Sequence, residues 1–129
     1  MTKEFTDTRM ARIWVEAEKV VFIDTKPAAE FDVADIKELQ EISLKLAGGC
    51  DYVICADINN IKSVTKEARD FSGDKMGDHK SLLAVALIMG SPISRVIGNL
   101  FMGLNKPIYP TKLFNDKEKA YKWLKGFFV

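Results

Sequence analysis

Residues 10–23 carry two hydrophobic patterns at once. Met10, Ile13, Trp14, Ala17, Val20 and Val21 recur at helical spacing, whereas Ala11, Ile13, Val15 and Ala17 alternate as in a strand. The run Val20-Val21-Phe22-Ile23 is rich in β-branched and aromatic residues and favours a strand for the second half. A hairpin would then turn near Ala17-Glu18 without an Asn-Gly signal. Periodicity alone leaves the two alternatives open. The next segment is unambiguous. Asp32 is a good N-cap, Ile36, Leu39, Ile42, Leu46 and Ala47 share one face of a helix from Val33 to Ala47, and Gly48-Gly49 stops it.

Tyr52-Val53-Ile54-Cys55-Ala56, ending at Asp57, is a short apolar run of the kind a buried strand shows. Asn59-Asn60 marks a turn, and Thr65 can cap a weaker helix from Lys66 to Lys75 held by Ala68 and Phe71. Leu82 to Met89 is the most apolar run and the best candidate for a central strand. Ser91-Pro92 then opens a helix whose Ile93, Val96, Ile97, Leu100, Phe101 and Leu104 lie on one side. Thr111 to Phe114 reads as a short strand. Asn115 with Glu118 resembles a capping box for a last helix lined by Ala120, Trp123, Leu124 and Phe127.

With two strands at the start, the order is β-β-α-β-α-β-α-β-α. Strands that alternate with helices predict an α/β domain: a mixed, largely parallel sheet with right-handed crossovers and helices packed on it. The 129 residues make one domain, and residues 1–8 are expected to be a flexible tail. Hydrophobic residues at 47% and charged residues at 29% are ordinary for a globular protein. The net charge of +1 gives no field to attract nucleic acid or a membrane surface.

The N-terminus lacks the apolar core of a signal peptide. The long apolar stretch from Val85 to Leu104 carries Ser91-Pro92, Ser94, Arg95 and Asn99, so no membrane span is expected, and a cytoplasmic location is. Cys55 sits in an apolar run and is expected to be buried packing, while Cys50 follows two glycines as a loop thiol. With His79 the single histidine, no metal site, nucleophilic triad or cofactor is expected. Glu16 and Glu18 fall in the expected turn and read as solvated.

Ligands on open parallel sheets meet the carboxyl ends of the strands. Those ends are Asp57 to Asn60, Gly90 to Arg95 and Asn115-Asp116. Asp57 is expected to bond the turn at Asn59-Asn60. A phosphorylatable receiver aspartate would need paired carboxylates to hold magnesium, and Asp24 stands alone beside Thr25. Ser91 and Arg95 lie where free helix N–H groups attract an anion, although Pro92 removes one donor. A plain cap and a surface ion pair explain them as simply. Ser94, Gly98, Asn99 and Met102 lie on the outer side of that helix, where Ser94, Gly98 and Met102 form a low-relief stripe that another protein surface could approach.

The order resembles the STAS fold, the class of the bacterial anti-sigma-factor antagonists. Ser91-Pro92-Ile93-Ser94-Arg95-Val96-Ile97-Gly98-Asn99, Asn105-Lys106-Pro107-Ile108-Tyr109-Pro110-Thr111, Phe114-Asn115-Asp116 and Ala120-Tyr121-Lys122-Trp123-Leu124 resemble a set of short bacterial STAS-like, or SpoIIAA-like, proteins. The resemblance covers residues 10–125 and settles residues 10–23 as two strands. Antagonists carry Asp-Ser-Ser-Gly at the start of the second helix, with a phosphorylated serine. The matching place here is Thr65-Lys66-Glu67-Ala68, where Lys66 or Glu67 replaces the phosphoacceptor, and Ser63 and Thr65 are the nearby hydroxyls. The resemblance implies a cytoplasmic regulatory or protein-interaction module, not an enzyme, with an unidentified protein partner or a second copy as its mate. Its surface would comprise Asp57, Asn59, Asn60, Ser63, Thr65, Lys66 and Glu67 with the helix that begins at Ser91. One alternative is a small-ligand carrier with a cavity lined by Phe71, Met76, Met89 and Phe101. Another is an enzyme whose polar groups converge near Asp57 and Arg95.

Overall fold

The structure is a computed structural model that describes residues 5–17, 19–27, 30–68, 81–90 and 110–128. Six strands form one mixed sheet in the order β1-β2-β3-β4-β5-β6. They are β1 (Phe5–Asp7), β2 (Ala11–Ala17), β3 (Val20–Thr25), β4 (Tyr52–Asp57), β5 (Leu82–Ile88) and β6 (Thr111–Phe114). The first three pair antiparallel and the last four pair parallel. The ambiguous segment is therefore a hairpin, which turns through Lys19 at φ 65°. Residues 5–7, expected in a flexible tail, instead form an edge strand, with Phe5 opposite Trp14.

Helix α1 (Val33–Ala47) follows the expected bounds. Asp32 and Asp35 form a reciprocal capping box, and Gly48 ends the helix in the left-handed region at φ 62°. The C-terminal helix, α2 (Lys117–Lys125), is capped by Asp116, whose side chain accepts from the Glu118 N–H. This corrects the cap expected at Asn115: a side-chain oxygen reaches the second or third N–H of its helix, and Glu118 is the second residue of α2. A short 3-10 turn (Gly126–Phe128) follows.

The central strands are buried on both faces, which is why they read as continuous apolar runs. Along β4, Tyr52, Ile54 and Ala56 join the core under α1, with Ile36, Leu39 and Val85. Val53 and Cys55 join the core under α2, with Ala84, Ala86, Ala120 and Leu124. Cys55 is buried packing and Cys50 an exposed thiol, as expected. Among the described residues no helix is long and apolar enough to cross a membrane. Of the helix expected from Lys66 to Lys75 the described residues include only the first turn, 66–68, and the helix expected from Ser91 to Leu104 lies outside them.

Candidate functional site

The carboxyl ends of β3, β4 and β5 come together at one edge of the sheet. Parallel pairing sets Asp24 of β3 beside Asp57 of β4, and the loop after Asp57 is tied down bond by bond. Oδ1 of Asp57 accepts from the backbone N–H and the side-chain amide of Asn59, both at 2.9 Å. Asn59 Oδ1 in turn accepts from the N–H of Gly90 at 2.5 Å, which joins the loop to the end of β5. The amide of Asn60 donates to the Thr25 carbonyl at 2.8 Å, and the Thr25 hydroxyl donates to the Asp57 carbonyl at 2.6 Å. Asp57 thus bonds the turn, as its place at the end of the run suggested.

The loop then reaches α1. Phe31 and Val64 make a parallel bridge: the Phe31 N–H donates to the Ser63 carbonyl and the Thr65 N–H to the Phe31 carbonyl. Thr65 Oγ1 accepts from the Ala68 N–H at 3.1 Å and donates to Asp32 Oδ1 at 2.9 Å. The two helix caps are therefore bonded to each other. The Val33 N–H and the Thr65 hydroxyl, in that order, hold the Asp32 carboxyl below its usual pKa. Lys66 and Glu67 stand exposed on the first helical turn, and Asn59 and Asn60 are exposed on the loop.

Burial, and then Asp57 beside it, raise the Asp24 pKa; Arg12 and Lys117 pull in the opposite direction. A carboxyl with a raised folded-state pKa costs stability above that pKa and nothing below the unfolded value, where both states are protonated. Asp24→Asn is therefore expected to raise the melting temperature by roughly 1–3 °C at pH 7. It should leave the melting temperature unchanged at pH 3. Thermal melts of both proteins at the two pH values check this.

A second polar group lies under α2, on the same face as Asp24. Glu16, expected in a solvated turn, is instead the extra residue of a bulge in β2 between Val15 and Ala17. Its side chain is only 13% exposed and accepts from Lys117 Nζ at 2.9 Å and from the Trp14 indole N–H. Lys117 also sits 4.4 Å from the Phe22 ring centre. Burial raises the Tyr121 hydroxyl in this group strongly. The bulge has no signature in the sequence, because alternation continues on both sides of it.

Ser91, Ser94, Arg95, Gly98, Asn99 and Met102 lie outside the described residues, as do Phe71, Met76, His79 and Phe101. Met89, the remaining wall of the expected carrier cavity, is packed into the core under α1. Among the described residues no group of three or more His, Cys, Asp or Glu side chains could hold a metal ion.

The model of the family "Domain of unknown function (DUF7793)" matches residues 13–128. Among solved structures, the chain is similar to an uncharacterised protein of the DUF3478 family with a SpoIIAA-like fold from Shewanella loihica PV-4. The two share 15% identity with a TM-score of 0.54, over 95% of this chain and 92% of that one. That likeness shows the fold: this is a SpoIIAA-like α/β domain, as the sequence resemblance implied. No curated protein matches the chain.

Proposed function

The chain belongs to this DUF7793 family of domains of unknown function, and from that premise we propose that it is a non-enzymatic regulatory module that works by binding another protein. The working surface is the loop from Asp57 to Thr65 with Lys66 and Glu67. One observation carries the reading. The polar side chains of the loop bond one another and the adjoining strand ends, at Asp57, Asn59, Asn60 and Thr65, so they hold a fixed surface in place. A surface held in one shape loses little entropy on docking. Lys66 and Glu67 project beside it where related antagonists carry a phosphoserine, so the surface keeps one charge pattern and is not switched there. The partner is a second copy of the chain or another cytoplasmic protein.

Site-specific photocrosslinking in cells of origin tests this. Probes at Lys62, Lys66 and Glu67 are expected to capture the same protein, and a probe at the exposed Glu41 on α1 is not. Asn59→Ala, which releases the loop from Gly90, is expected to weaken capture about threefold to tenfold; a net hydrogen-bond contribution of about 0.5–1.5 kcal/mol sets that scale. Equal capture from Glu41, or none from the loop, would overturn the reading.

A further inference from the structure

We propose that a cage beside the first turn of α2, which Lys117 fills from within the chain, is a binding site for a small primary alkylammonium ion. None of its residues belongs to the loop surface. Glu16, on the bulge of β2, accepts from Lys117 Nζ at 2.9 Å. That ammonium lies 4.4 Å from the centre of the Phe22 ring and 5.5 Å from that of Tyr121. Ring faces attract a cation through their quadrupoles, and a carboxylate adds a charge-assisted hydrogen bond. Trp14 holds the cage in shape. Its indole N–H donates to Glu16, and its ring centre lies 4.9 Å from that of Phe22. The Lys117 side chain is 45% exposed, so the cage opens to solvent along it.

Lys117 leaves part of the cage unused. The Tyr121 hydroxyl is buried and has no hydrogen-bond partner. A buried hydroxyl in that state favours a ligand that supplies a partner. A free ammonium carries three donors and no tether, so it can turn to Glu16 and to Tyr121 together.

Charge decides the class. Asp24 interacts with Asp57, Arg12 and Lys117, and Cys55 with Lys117, Asp57 and Glu16. With Lys117 withdrawn, the carboxyl groups of Glu16, Asp24 and Asp57 face Arg12, which is itself paired with Asp7 at 3.7 Å. The partial positive charge at the start of α2 is met by Asp116 at its cap and Glu118 in its first turn. The cage therefore attracts a cation, and its Glu16 oxygen takes an N–H that a quaternary ion lacks.

Lys117→Ala removes Cγ, Cδ, Cε and Nζ, which are the heavy atoms of n-propylammonium. The indole N–H resonance of Trp14 reports on Glu16. That of Trp123, which packs against Phe114 and Phe127, is the internal control. In Lys117→Ala at constant chloride, n-propylammonium is expected to shift the Trp14 resonance saturably and leave Trp123 in place. A midpoint in the millimolar range suits so few atoms. The wild-type midpoint is expected to be at least tenfold higher, because Lys117 must leave first. 1-Propanol, which lacks the charge, and tetramethylammonium, which lacks the N–H, are each expected to bind about tenfold more weakly or worse. Glu16→Gln in the Lys117→Ala background is expected to raise the midpoint about tenfold. If Lys117 is only a strut between β2 and α2, n-propylammonium will give no saturable shift. That result, equal binding of 1-propanol, a wild-type midpoint as low as that of Lys117→Ala, or a midpoint unmoved by Glu16→Gln would each overturn the proposal.

Discussion

Leu124→Ala is expected to destabilise the protein by about 3 kcal/mol and to lower its melting temperature by roughly 10 °C or more. Leu124 is 0% exposed and packs from α2 among Val53, Cys55, Ala84 and Ala86. The alanines and the cysteine on the strands are small, and they let the helix sit close to the sheet. Those small side chains cannot extend to fill the space a leucine vacates. The cost therefore includes the cavity as well as the lost transfer energy. Lys122→Ala, at an exposed position on the same helix, is expected to change stability by less than about 0.5 kcal/mol. Denaturant unfolding of both variants measures the contrast. A loss below about 1 kcal/mol for Leu124→Ala would mean that α2 is not seated on the sheet as described.

Thr65→Glu, a mimic of phosphorylation, is expected to destabilise by about 1–2 kcal/mol through loss of the cap. The new carboxylate also faces Asp32, whose pKa is held below its usual value first by the Val33 N–H and then by the Thr65 hydroxyl being removed. Two negative charges would then meet where a hydroxyl now donates to one, which adds to the loss. Thr65→Ser keeps the oxygen that accepts from Ala68 and donates to Asp32. It is expected to stay within about 0.5 kcal/mol of the parent. Chemical denaturation distinguishes the two. A stable Thr65→Glu protein would show that the hydroxyl between the two helix caps is free to take a phosphate. The Asp32 contribution is present above the unfolded-state carboxyl pKa and is lost as pH falls through the lower folded value. The gap between Thr65→Glu and the parent should therefore narrow in acid.

The elements that were legible in the sequence are those with local causes. Asp32 and Gly48 bracket α1 because a cap and a left-handed stop act within a few residues. β4 and β5 were visible because burial on both faces leaves no polar break in them. β1 was not visible: Phe5, Thr6 and Asp7 are all exposed, so no buried period marks them, and only pairing with β2 makes them a strand. The bond from Asp57 to Asn59 was legible because it spans two residues. The approach of Asp24 to Asp57 was not, because it depends on parallel pairing between strands separated by all of α1. Glu16 was misplaced for a related reason. An inserted residue shifts the register of β2, and its partner Lys117 comes from the far end of the chain.

The sheet is laid down in the order of the chain, with every strand beside its predecessor. No strand must be inserted between two that have already paired. As the chain leaves the ribosome, the hairpin of β2 and β3 can form first, and each later strand meets a finished edge. A domain generally folds as a unit, and pairing between neighbours in sequence keeps loop closure as short as the parallel crossovers allow. The same arrangement leaves a growing edge at each stage until β6 arrives, so a chain stalled before residue 111 would present the bare edge of β5, its most apolar strand, to other nascent chains.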